Sequence, residues 1–144
     1  MTQDVHSIDA YIGGIRPRFE QMLGEMVEIP SVSMDPARAG DVRRMATYAA
    51  DLLRGLGAEA RIVETQGHPI VSGGWITDKN HQTVTIYNHM DVQPAQEPQW
   101  KQRPFEFQNE SGIYRGRGAT DDKGPALTAL LAAKHAVEQG TPIN

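Results

Sequence analysis

The chain has 144 residues, 39% hydrophobic and 22% charged, with a mean hydropathy of −0.48; this suits a soluble globular domain and excludes disorder, collagen and coiled coil. A net charge of −4, with no basic cluster beyond Arg43-Arg44, argues against a nucleic-acid or anionic-membrane partner, and no apolar run approaches the roughly 18 residues of a membrane span. The polar start Met1–His6 carries no signal segment, and the absence of cysteine excludes disulfides, thiolate metal sites and a cysteine nucleophile and points to a cytoplasmic setting.

Ile8, Ile12, Ile15, Phe19, Met22, Leu23, Met26 and Val27 recur at steps of three and four, which predicts an amphipathic helix with Ser7 as N-cap. Gly13-Gly14 and Pro17 predict a kink or break inside it. Pro30 ends it, and residues 31–36 read as a loop. A second helix is expected over 41–56, with Val42, Met45, Ala46, Ala49, Leu52, Leu53 and Leu56 inward and Gly57 just past its end. Residues 58–64 alternate as a strand does, and 69–77 form a second strand candidate weakened by Gly73-Gly74. Thr83–Asn88 is the strongest strand, β-branched and aromatic. Residues 93–108 read as a long loop and 113–115 as a short strand. A last helix is expected over 124–139, with Pro125 at its first position and Gly140 after its end.

Helices alternating with strands imply an α/β fold with helices on both faces of a sheet. The stretch Ala126–Ala133 is apolar nearly all round, so the last helix should be buried on most sides and lead into another strand. The sequence stops at Asn144 and reads as cut after helix 124–139, with 1–144 the N-terminal portion of a single domain.

Two stretches carry candidate chemistry. His89-Met90-Asp91 follows the best strand; residues two apart project to one face, at a sheet edge where α/β proteins bind ligands. An imidazole ligand backed by a carboxylate suits a metal, although a lone His-x-Asp is more often a hydrogen-bonded histidine beside a turn. Gly116-Arg117-Gly118-Ala119-Thr120-Asp121-Asp122-Lys123-Gly124 leads into the last helix. It lacks the Gly-Lys-Ser/Thr order of a phosphate loop, and Asp121 stands where a dinucleotide fingerprint needs its third glycine. Carboxylates at a helix start are also ordinary capping. Two acids beside a flexible loop otherwise suit a ligand bridging two cations about 3.5–4 Å apart.

Asn88-His89-Met90-Asp91-Val92-Gln93-Pro94-Ala95, then Trp100, Pro104-Phe105 and Gly116 through Pro125, together with Ile29-Pro30-Ser31-Val32-Ser33, resemble the M20 family of zinc metallopeptidases over nearly the whole chain. Val-Gln-Pro-Ala and Asp-Asp-Lys-Gly-Pro look like its dipeptidase and carboxypeptidase branch. Arg115 stands where the family usually has tyrosine, displaced here to Tyr114.

The resemblance implies a three-layer αβα sandwich on a mixed sheet, incomplete in this chain. It also implies two Zn2+ ions (Co2+ or Mn2+ as substitutes), with His89 ligating one, Asp121 bridging both, and Asp91 orienting His89. The substrate would be a dipeptide or short peptide, hydrolysed by a metal-activated water, and the full-length protein could be a homodimer. A cis peptide between Asp121 and Asp122 is implied as well. The general base and the remaining ligands would lie beyond Asn144, since Glu106, Glu110 and Glu138 are isolated; the 144 residues alone should be inactive and bind zinc poorly. Two alternatives remain: a stand-alone, non-catalytic binding module, or a deacylase of N-acyl amino acids. Lys123 and Arg117 are expected to support the loop, Trp100 and Phe105 to pack beneath residues 93–108 or wall a substrate, and His6, His68, His81 and His135 to be structural or surface residues.

Overall fold

The apolar stripe at steps of three and four does form a helix, α1 (Val5–Val27). The computed structural model describes the backbone from Val5 to Asn144 and side chains from Ile8 onward. Met22, Leu23, Met26 and Val27 are buried, while Ile12 near the start is half exposed. No break occurs: α1 continues through Gly13-Gly14 and Pro17. An internal proline costs about 3 kcal/mol, whereas four buried aliphatic or methionine side chains contribute about 1.5–3 kcal/mol each, so packing at the far end wins. Ser7 is the third residue of α1 rather than its cap; its side chain, like that of His6, lies outside the described residues.

Beyond Val27 the chain turns, burying Ile29, Ser31 and Val32. Asp35 accepts the Ala37 N–H at 2.9 Å and caps a short 3-10 turn, Pro36–Arg38, that feeds α2 (Ala39–Gly55). Val42, Met45, Ala46 and Ala49 face inward as the spacing predicts, and Ala50 joins them. Gly57 ends the helix in the left-handed region, φ +85°. Its N–H bonds Arg54 O at 2.9 Å and that of Ala58 bonds Leu53 O at 3.0 Å, which satisfies two terminal carbonyls.

β1 (Glu59–Val63) and β2 (Ile70–Gly74) pair antiparallel, from Glu59 opposite Gly74 to Val63 opposite Ile70; the glycine pair closes β2 rather than breaking it. The expected strand at 83–88 does not form a ladder. Its neighbourhood holds one parallel bridge, Gln82 to Ile143, and Val84, Ile86 and Tyr87 are 54%, 47% and 86% exposed. Strand propensity supplies no partner, and a strand exists only through pairing. Conversely, β3 (Gln108–Glu110), polar and not expected as a strand, pairs with β4 (Ile113–Arg115). Ser111 and Gly112, at φ +54° and +82°, make the two-residue turn that a tight hairpin requires. Tyr114 of β4 turns inward, donating to Glu20 Oε1 at 2.8 Å, while Arg115 turns outward to Glu110 at 2.6 Å.

α3 (Lys123–Glu138) starts one residue earlier than predicted, so Pro125 is its third residue, still among the N–H positions without an intrahelical partner. Leu127 and Leu131 join Met22, Leu23, Met26 and Met45 in the core, and Tyr11 reaches Leu131 O at 3.1 Å. The other side of α3 borders a groove of about 920 Å³, lined by Leu130, Ala133 and Val137 with Leu52 and Leu53 opposite. The apolar helix is therefore buried on one side only. The α/β class holds; among the described residues the strands form two separate antiparallel pairs plus the one parallel bridge. None of the described helices is long and apolar enough to cross a membrane.

Candidate metal centre

His89 follows the 83–88 stretch with both ring nitrogens facing oxygen. Nδ1 lies 3.2 Å from the Asp91 carbonyl and 3.2 Å from Asp91 Oδ1; Nε2 lies 3.0 Å from Asp121 Oδ1. The three residues singled out in the sequence thus converge. Asp121 is 82% exposed and His89 41%, so the site opens to solvent. Asp122 turns the other way: its Oδ2 accepts Asn88 Nδ2 at 3.0 Å and the His89 N–H at 3.3 Å, stapling the end of the 83–88 stretch to the loop. The Asp121–Asp122 peptide is cis, as the resemblance implies.

A neutral imidazole has one N–H and cannot satisfy acceptors on both sides. One side therefore needs a second proton or a cation. Burial pulls the His89 pKa down, but the Asp91 carbonyl and the charges of Asp91, Asp121 and Asp122 outweigh it, and the net shift is upward. A cation between Nε2 and Asp121 meets the same demand. Donors about 2.0–2.2 Å from one tetrahedral zinc sit roughly 3.3 Å apart, close to the 3.0 Å seen. The imidazole–carboxylate pair therefore fits a divalent metal as part of a donor set. It is only part: among the described residues no group of three or more His, Asp or Glu gathers as a ligand cluster, and a stable zinc site usually has three or four protein ligands.

The backbone beside these residues is tied by hydrogen bonds. Lys123 is fully buried, and its Nζ donates to Met26 O at 2.8 Å and Ile29 O at 2.7 Å, the open end of α1. Burial pushes its pKa down to about 8, against the upward pull of Asp91. Ser31 Oγ donates to Met90 O at 2.7 Å, the Val92 N–H returns to Ser31 O at 3.0 Å, and Ser33 Oγ donates to Asp91 Oδ2 at 2.5 Å. Gly118, at φ +92°, fills the remaining gap: a Cβ there would sit 2.8 Å from Val92 Cγ1 and 3.0 Å from Lys123 Cδ.

Arg117 supports the long loop as expected. It donates to Pro94 O at 3.0 Å and Glu97 Oε1 at 2.7 Å, with its guanidinium 5.3 Å from the Trp100 ring centre. Bonds from its own backbone and from the Trp100 indole, then Arg117, hold the Glu97 carboxyl below its usual range. Phe107 rather than Phe105 packs on the core, against Gly24. His81 pairs with Thr77 at 2.8 Å, His135 stacks on Tyr11 at 3.9 Å, and His68 is exposed on the groove that also borders His89 and Asp91; none of the three hydrogen-bonds His89, Asp91 or Asp121. Sequence reasoning gave Asn88 and Ser33 no role of their own and took Asp122 only as one of two acids beside the loop, although all three lie in the stretches that carry the resemblance.

Residues 85–143 match the model of Peptidase family M20/M25/M40. Among curated relatives, Cys-Gly metallodipeptidase DUG1 of Candida albicans is 36% identical over 90% of this chain and 30% of its own length. Beta-Ala-His dipeptidase of Rattus norvegicus is 35% identical over 93% of this chain and 30% of its own. The solved di-peptidase Dug1p from Saccharomyces cerevisiae superposes with a TM-score of 0.86 at 29% identity, over 97% of this chain and 32% of that one. By sequence and by fold this chain is similar to the N-terminal part of these M20 peptidase relatives. It spans about 30% of the length of the curated relatives it matches.

Proposed function

We propose that residues 1–144 are the N-terminal portion of one catalytic domain in a dinuclear zinc dipeptidase. The observation that carries this reading is the convergence of His89 Nε2 on Asp121 Oδ1 at 3.0 Å, with Asp91 behind Nδ1. His89 and Asp121 would hold the metal, Asp121 between two ions, and Asp91 would fix the ring. Bound there, divalent zinc supplies Lewis-acid polarisation of the peptide carbonyl and a lowered pKa for water; Co2+ or Mn2+ could substitute. Asp91 keeps the Nδ1 proton and so leaves the Nε2 lone pair free for the cation. The remaining ligands and the general base would come from outside residues 1–144, so this chain alone is expected to be inactive and to bind zinc weakly.

Dipeptides are the proposed substrates because the similar relatives are named as dipeptidases. The cysteine-free sequence supports a cytoplasmic setting, and a homodimer remains part of the reading through the resemblance. The test uses a protein that carries this chain together with the remaining two thirds of the relatives' length, called the complete protein below. Stripped with a chelator, it should lose hydrolysis of Cys-Gly or β-Ala-His and regain it with Zn2+, Mn2+ or Co2+. Full activity after stripping contradicts the reading; turnover of N-acyl amino acids alone would favour the deacylase.

A further inference from the structure

We propose that Ser33 is a positioning residue for the metal centre: its hydroxyl pins the Asp91 carboxylate and thereby selects the tautomer of His89. Ser33 Oγ donates to Asp91 Oδ2 at 2.5 Å, which leaves Oδ1 turned to His89 Nδ1 at 3.2 Å. The Asp91 carboxylate is 44% exposed, so water competes for it and the Ser33 bond opposes its rotation. On the far side of the ring Asp121 Oδ1 competes for the same proton at Nε2. A neutral His89 is therefore poised between Asp121 at Nε2 and the Asp91 carbonyl and carboxylate at Nδ1, and the Ser33 bond, by fixing that carboxylate, adds to the pull towards Nδ1–H, the form whose Nε2 lone pair can bind a cation.

Ser33 itself is held by a rigid neighbour. Ser31, buried at 1% exposure, bonds the 90–92 backbone on both sides, and Lys123 clamps Ile29 O and Met26 O just before it. The 29–33 segment is thus a fixed strut against which Asp91 leans, and Ser33 is its contact.

The metal arm of this inference rests on the proposed function; the tautomer arm does not. Nitrogen-15 NMR of the neutral His89 ring in metal-free protein reads the tautomer directly, and competition titration with Zn2+ reads affinity. Ser33→Ala should shift the ring away from Nδ1–H and weaken Zn2+ binding roughly 10-fold. Ser33→Thr should restore both, while Ser33→Val, its isostere without a hydroxyl, should behave as alanine; the Thr/Val pair decides the matter even if alanine disturbs the segment. An unchanged tautomer ratio in the alanine and valine proteins overturns the inference and leaves the dipeptidase reading intact. If the complete wild-type protein binds no cation, that reading fails, and the tautomer comparison still decides Ser33.

Discussion

Residues 83–88 and 89–92 are consecutive, yet the structure treats them in opposite ways. The first stretch has the most strand-like sequence in the chain and ends up exposed, with Tyr87 at 86%. The second is ordinary in composition and is held from two directions: by the segment after α1, which Lys123 in turn clamps, and by the loop before α3. Propensity is a property of a segment, whereas immobilisation is conferred by groups far away in sequence. The site sits where the second condition is met.

The largest effect on this contrast should come from Lys123→Met. Two buried carbonyls lose their donor at about 1–3 kcal/mol each, partly offset by removing a buried charge, for a net loss of about 2 kcal/mol in urea titration at pH 7. The folded pKa of Lys123 is lowered to about 8 from 10.5, so between those values the unfolded state binds the proton more tightly and wild-type stability gains as pH rises. The gap between wild type and variant should therefore widen from pH 8 to 10.5. A constant gap contradicts the burial of a titrating amine.

Gly118→Ala should cost about 1–2 kcal/mol, since φ +92° and the approach to Val92 and Lys123 both oppose a Cβ. A thermal scan showing no loss would mean that the loop is looser than its contacts imply. Ile86→Ser, on the exposed stretch, should change the stability of this chain by no more than about 0.5 kcal/mol. The same substitution in the complete protein sharpens the comparison, because a much larger loss there would show the stretch covered by a partner strand.

Much of this was legible in the sequence, and the misses share a cause. Helices announce themselves by period, and their ends by Gly57 and Gly140, both at positive φ. His89, Asp91 and Asp121 were legible as chemistry because metal-type residues clustered at two element ends. Lys123 could be read only as loop support, since its acceptors are 97 and 94 residues away, and Ser33 contacts Asp91 across 58. The β3 strand escaped because polar, exposed Gln108–Glu110 shows no alternation; its partner and a turn at Ser111-Gly112 make it a strand.

The central claim is that Asp121 and His89 jointly hold the catalytic cation. Metal content and dipeptide turnover of Asp121→Ala, measured side by side with Asp91→Ala in the complete protein, test it most directly. The account predicts that Asp121→Ala loses both metal and turnover, while Asp91→Ala keeps more of its metal than of its activity. Wild-type turnover in Asp121→Ala would contradict it.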